Sequence, residues 1–191
     1  MKIPATTWIP NAVLALTLAA PLAHAVEFNQ VQSQQSSISF SYQQMGVSMD
    51  GRFRKFTGQL AFDPAQPAKA RAAIDIDLAS IDTGAAESDE EVAGKSWFHI
   101  ANFPKATFAS TAVKAIGGNR YEVSGRLSIK GRSKDIVVPA TFTQQGNNGV
   151  FAGSFTIRRG DFAIGEGPWA KFDIVANDVQ VKFRIAATAA K

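Results

Sequence analysis

Residues 81–108 read IDTGAAESDEEVAGKSWFHIANFPKATF, and they decide how the rest of the chain is understood because they form the one long stretch that does not alternate. Its apolar residues fall neither at every second position nor in a single run, so it does not read as a strand. Ser88 stands three residues before Glu91, a capping-box spacing that satisfies the first free N–H groups of a helix. Asp89, Glu90 and Glu91 add negative charge at the positive end of that helix dipole. The pattern predicts a short helix capped at Ser88 and stopped at Gly94. Trp97, Phe98, Ile100 and Phe103 follow within seven residues, more apolar surface than a loop leaves in water. Pro104 then returns the backbone to extended geometry before Phe108. The stretch is expected to be a lid or end plug over whatever its flanks enclose.

The flanks are a hairpin ladder. Ile38, Phe40 and Tyr42 alternate with serines, and Phe56, Gly58, Leu60 and Phe62 share one face before Asp63-Pro64 ends the strand. Ile74, Ile76 and Leu78 alternate with Asp75 and Asp77. Beyond residue 108, Gly117-Gly118-Asn119 is a hairpin signal leading into Tyr121, Val123, Gly125, Leu127 and Ile129. After a basic turn at Lys130–Lys134, Ile136, Val138, Ala140 and Phe142 alternate up to the loop Gly146–Gly149. Phe151, Gly153, Phe155 and Ile157 share the next face, and a Gly-rich corner over 160–169 precedes Val179, Val181, Phe183 and Ile185. About eight long strands joined by hairpins predict an all-β fold, a single antiparallel eight-stranded barrel with a short helix and aromatic plug inserted between strands. Such a barrel either fills with side chains or holds one small ligand. Glycines 58, 125 and 153 interrupt apolar faces, as expected either of room inside the barrel or of bulges in a filled core.

Composition narrows the function. Lys2, the apolar run Val13–Ala20 and the small-x-small triplet Ala23-His24-Ala25 make residues 1–25 a secretory signal cleaved after Ala25, which predicts a periplasmic location and a mature domain over 26–191. The chain has no cysteine, so it carries no disulfide and no thiolate chemistry. Removing Lys2 lowers the formal net charge from +4 to +3, and no region is basic enough for a nucleic-acid partner. Fourteen phenylalanines against two tyrosines supply large apolar volume with no polar atom to satisfy.

Several blocks, in order and spacing, resemble the YceI-type family of exported, lipocalin-like proteins that bind polyisoprenoid lipids. They are Ser37-Ile38-Ser39-Phe40, Gly51-Arg52-Phe53 through Phe56-Thr57-Gly58 to Phe62-Asp63-Pro64, and Ile81-Asp82-Thr83-Gly84. Trp97-Phe98, Phe103-Pro104 and Gly125-Arg126-Leu127 before Gly131 continue the series. It closes with Arg159-Gly160-Asp161-Phe162-Ala163-Ile164-Gly165-Glu166-Gly167-Pro168-Trp169 and then Val175–Val179. Arg158 stands where a small polar residue is expected and Ala163 where glycine is usual. The resemblance implies a barrel closed in part by a helix, with an elongated apolar pocket for a prenyl or quinone-like chain.

Catalysis finds little to work with. His99, the one histidine outside the signal, has no cysteine partner and no triad assignable by spacing. Asp75 and Asp77 project from one strand face about 7 Å apart, but two carboxylates without a third ligand make a poor metal site. The expected site is therefore the apolar interior. Phe40, Phe53, Phe62, Ile76, Trp97 and Phe98 from the first half of the chain are its candidate ligand-binding residues, with Phe103, Phe108, Leu127, Phe142, Phe155 and Phe162 from the second. Arg52, Arg54, Lys130 and Arg132 are candidate head-group contacts, or else solvated hairpin tips. The function expected is a non-enzymatic periplasmic carrier or store of an isoprenoid-type lipid, with no cofactor or metal. Its partners would be that apolar chain, a membrane surface in transient contact and, as an open alternative, a second copy of itself. A lipocalin-like enzyme acting on a lipid and an outer-membrane structural barrel are the alternatives; the scarcity of tyrosine and tryptophan for interface girdles weighs against the second.

Overall fold

The computed structural model describes residues 26–189, so the signal expected over 1–25 lies outside the described residues. In chain order the elements are β1 (Phe28–Val31), β2 (Ser37–Gln44), β3 (Val47–Phe53), β4 (Phe56–Ala61), β5 (Arg71–Asp77) and β6 (Ile81–Asp82). They continue with α1 (Ala86–Ala93), β7 (Lys105–Gly117), β8 (Arg120–Ile129), β9 (Arg132–Gln145), β10 (Asn148–Arg158) and β11 (Val175–Ala189). All strand pairs are antiparallel, in the order β4-β5-β7-β8-β9-β10-β11-β2-β3-β6. The sheet curls on itself, and β1 spans the gap by pairing with β11 while Phe28 bridges to Phe62 beyond the end of β4.

The barrel thus has eleven strands rather than eight. The four-residue β1 and the two-residue β6 are too short to show alternation in sequence, and β3 runs over seven residues where only Arg52-Phe53 reads as strand. The long strands keep the expected faces. Three connections are two-residue turns with both central residues at positive φ, namely Met45-Gly46, Gly118-Asn119 and Lys130-Gly131. That is the type I′ geometry whose twist matches paired strands. In β7 a bulge between Ser110 and Ala112 shifts the register, so Val113 joins Phe108 on the inner face.

Three glycines on the strand faces are seats for aromatic rings, whereas Gly58 is filled by Ile74 and Val31. A Cβ on Gly51 would strike the ring of its cross-strand partner Phe40, and one on Gly153 would strike Phe183 and the Pro139 carbonyl. Gly125 is covered in the same way by Phe108. The rings lie flat along the wall in place of a side chain on the neighbouring strand, so these glycines are neither bulges nor empty space.

One end of the barrel is filled. Phe28, Phe62 and Phe142 are buried there with Phe151 packed against them, ring centroids 4.7–5.1 Å apart. The other end carries the 81–108 stretch. Here α1 begins at Ala86, with Ala85 rather than Ser88 at its N-cap and no side-chain cap bond. Ser88 cannot cap because it already lies inside the first turn; Asp89 instead turns its carboxylate back to accept the N–H and hydroxyl of Thr83, at 2.8 and 2.7 Å. Gly94 does end the helix, at φ −70°, so left-handed freedom is not what stops it.

Gly153→Ala is expected to lower stability by about 1–3 kcal/mol, because the added methyl meets main chain that cannot rotate away. Chemical denaturation of the two proteins measures this, and an unchanged midpoint would show that the ring seat is dispensable.

Candidate functional site

Between the filled end and α1 lie two apolar cavities of ≈ 290 and ≈ 160 Å³. Ile38, Ile76, Leu127, Phe155 and Val181 line both, so the partition is a waist of side chains from five strands. The larger cavity approaches the lower end of the range for small-molecule sites, roughly 300–1,000 Å³. Its aromatic wall is continuous. Phe40 packs on Phe53 with centroids 5.4 Å apart, and Phe53 meets the edge of Phe98 at 6.4 Å.

Seven of the twelve expected apolar residues line the larger cavity: the waist residues Ile76, Leu127 and Phe155, with Phe40, Phe53, Trp97 and Phe98. Phe62 and Phe108 line the smaller one. Three do not line either cavity. Phe142 is consumed in the filled end, Phe162 is buried behind the corner that follows β10, and Phe103 packs outward over Gly131 and against His99. His99 itself lies outside both cavities.

The four basic side chains expected at a head group do not line either cavity. Arg52 and Arg54 converge on Asp82 at 2.8 and 2.9 Å, which holds that carboxyl below its usual range through the hydrogen bonds from Arg54 and then Arg52. Lys130, only 7% exposed, donates to the carbonyls of Lys95 and Ala163 and to the Glu166 carboxylate at 2.7–2.9 Å. Arg132 is exposed beside Glu166. All four are spent on the scaffold or on solvent.

The positive charge that does line the larger cavity is not among those expected from the sequence. Arg159 is 1% exposed. Its Nε donates to the Ala176 carbonyl at 3.1 Å, and Nη1 to Ile164 and Gly165 at 2.8 and 3.0 Å. Nη2 reaches Trp169 and Val175 at 2.8 Å and Lys171 at 3.2 Å. The five N–H groups of a guanidinium are thereby used up on six main-chain carbonyls. No carboxylate pairs with it among the described residues. Burial pushes its pKa below the ordinary value, and it stays charged because arginine does not deprotonate in proteins. Its guanidinium carbon lies 5.5 Å from the Trp97 ring centroid and 4.9 Å from that of Phe172. The signal for it was parity: Phe155 and Ile157 point inward along β10, and Arg159 is the next inward position.

Arg159 shapes the corner, and the corner holds the lid. The Ser96 carbonyl accepts the N–H groups of Gly165 and Glu166 at 2.8 and 2.7 Å, and the Trp169 indole donates to Glu91 of α1 at 2.7 Å. Ala163 sits at φ 54°, ψ 34°, the left-handed region that explains the usual glycine there. Arg158 is exposed, 3.3 Å from Asp161, so both departures from the family pattern are accommodated locally.

The fold is a curled antiparallel β-barrel with an apolar lumen, one short helix and a buried arginine at the corner before β11. The YceI-like domain model matches residues 30–187, and the chain belongs to that family. A UPF0312 protein of Pseudomonas syringae is 33% identical over 162 residues, 79% of this chain and 84% of that one. BcnA of Burkholderia cenocepacia is 42% identical with a TM-score of 0.82, over 83% of this chain and all of that structure. A polyisoprenoid binding domain from Saccharophagus degradans shares the fold at 18% identity, with a TM-score of 0.69 over 86% of this chain and 99% of that one.

Arg159→Met is expected to cost on the order of 3–5 kcal/mol, because it strands buried carbonyls, and Arg159→Lys should recover only part of this with three donors in place of five. Urea unfolding checks both, and a loss below about 1 kcal/mol would show that the carbonyls find other partners. Stability should also depend on acid. Asp82 and Glu166 have folded pKa values below their ordinary ones, Glu166 through the hydrogen bond from Lys130. Their contribution is present above the unfolded carboxylate pKa and is lost as pH falls through the folded values. Asp82→Asn should flatten that acid limb in melting curves taken across it; an unchanged slope would remove Asp82 from the account.

Proposed function

We propose that the protein is a periplasmic carrier or store of an isoprenoid-type lipid, holding one apolar chain through both cavities. The observation that carries this reading is the shared waist. Two lumens divided only by the side chains of Ile38, Ile76, Leu127, Phe155 and Val181 become one tunnel if those side chains shift, and a flexible chain needs a tunnel. Burying about ten methylenes offers on the order of 8 kcal/mol gross, part of it offset by ordering the chain. The structural likeness to a domain named for binding polyisoprenoid supports the same class of ligand. Export is supported by the charged start, apolar run and small-x-small site of residues 1–25. The reading is of a binding protein rather than an enzyme, which the YceI-like family match and the likeness to a polyisoprenoid binding domain support.

Val181→Trp tests the tunnel. With the waist blocked, chains long enough to need both cavities should lose affinity by about tenfold or more, while chains that fit the larger cavity keep theirs. Equal affinities for long chains in both proteins would contradict the reading. The lid makes a second test: Phe98→Ala should weaken chain binding at least as much as it lowers stability, and loss of stability with unchanged affinity would reduce Phe98 to core.

A further inference from the structure

The two tryptophans at the lid end differ in one respect. The rings pack 5.5 Å apart, and the Trp169 indole N–H is taken by Glu91. The Trp97 Nε1 is buried and has no acceptor among the described residues, although the residue is only 8% exposed and lines the larger cavity. A buried donor without an acceptor is rare enough to need an explanation. The Arg159 guanidinium beside the same ring cannot serve as a donor, since its N–H groups are already engaged. It contributes positive potential next to the Trp97 ring, which favours an electron-rich atom at the indole N–H.

The charged groups on this lining set the kind of acceptor. Glu87 and Glu91 of α1 are exposed at the rim against the single Arg159 among the described residues, and Tyr42 is a neutral phenol whose pKa burial raises further. Two carboxylates against one guanidinium repel a multiply charged head. At the smaller cavity the only charged lining residue among the described residues is Arg71, whose Nη1 already donates to the carbonyls of Lys69 and Ala70.

Resting on the apolar-chain reading, we infer that Trp97 Nε1 is the polar anchor of the site, donating to an uncharged acceptor oxygen, such as a carbonyl, at the head of the chain. The head lies under α1 and the tail runs past the waist toward Phe62. Selectivity then comes from one hydrogen bond, and phosphorylated chains are disfavoured.

Titration with three farnesyl-chain probes on the full-length chain tests this: the C18 ketone farnesylacetone for the carbonyl, the same C18 chain with CH2 in place of the carbonyl for the bare chain, and farnesyl diphosphate for the anionic head. The protein should bind farnesylacetone about three- to tenfold tighter than the hydrocarbon, with farnesyl diphosphate weakest. Trp97→Phe keeps a ring but no N–H, and should bind farnesylacetone and the hydrocarbon alike. No preference for the carbonyl in the unmodified protein, an equal loss for both probes on substitution, or tightest binding of the diphosphate would each overturn the anchor while leaving chain binding intact. Failure to bind any of the three would overturn the chain reading with it. If Trp97→Phe shows no cooperative melting, the indole N–H resonances of the unmodified protein decide, with those of Trp8 and Trp169 assigned by their loss in Trp8→Phe and Trp169→Phe. The Trp97 signal should move with farnesylacetone and stay with the hydrocarbon, and a signal unmoved by both overturns the anchor.

Discussion

The structure depends on one buried guanidinium. Residues 163–174 contain no strand and no α-helix, so their main-chain carbonyls have no ladder to enter, and buried carbonyls without partners are costly. Arg159 supplies the missing donors from the centre outward. A lysine has too few donors, and a hydrophobic residue has none. The corner it shapes presents two N–H groups to Ser96 and one indole to Glu91. Through these the lid, and Trp97 with it, takes its place over the lumen. A cation with no anionic partner is an unusual device for this purpose, but dipoles of six carbonyls substitute for a counter-ion.

The lumen exists because phenylalanine is used in two ways. At the closed end Phe28, Phe62 and Phe142 interdigitate and exclude everything else. Along the walls Phe40, Phe108 and Phe183 lie over glycines on neighbouring strands, which keeps their volume against the sheet instead of across it. Had Gly51, Gly125 and Gly153 carried side chains, those rings would have to stand up into the cavity. An abundance of phenylalanine that reads as an overfilled core in composition is, in three dimensions, a thick apolar lining around an open centre.

Period-two alternation made most of the architecture legible. Inward faces such as Ile38-Phe40-Tyr42 and Val179–Ile185 were readable because a strand has only two sides, and the same rule placed most of the cavity-lining residues. It failed where the ladder is interrupted. β1 and β6 are too short to alternate, and Ser88 lost the cap because the helix begins ahead of it at Ala86. Residues outside strands had no parity to follow. Phe103 and Phe162 therefore looked like pocket residues, while Arg54 and Lys130 looked free although Asp82, Glu166 and two carbonyls engage them; Arg52 does lie on β3, but its strand pattern says nothing of Asp82 across the ladder. Arg159 was within reach of the rule, one step beyond Ile157, and an expectation that charges face water hid it.

The central claim is that the joined cavities hold a single apolar chain. Native mass spectrometry of the protein purified from its own cells, with no lipid added, tests it most directly. One extra mass per chain, released by organic solvent and belonging to a long isoprenoid-type molecule, is the result the account predicts. A bare protein mass that stays bare after exposure to polyprenyl lipids would contradict it.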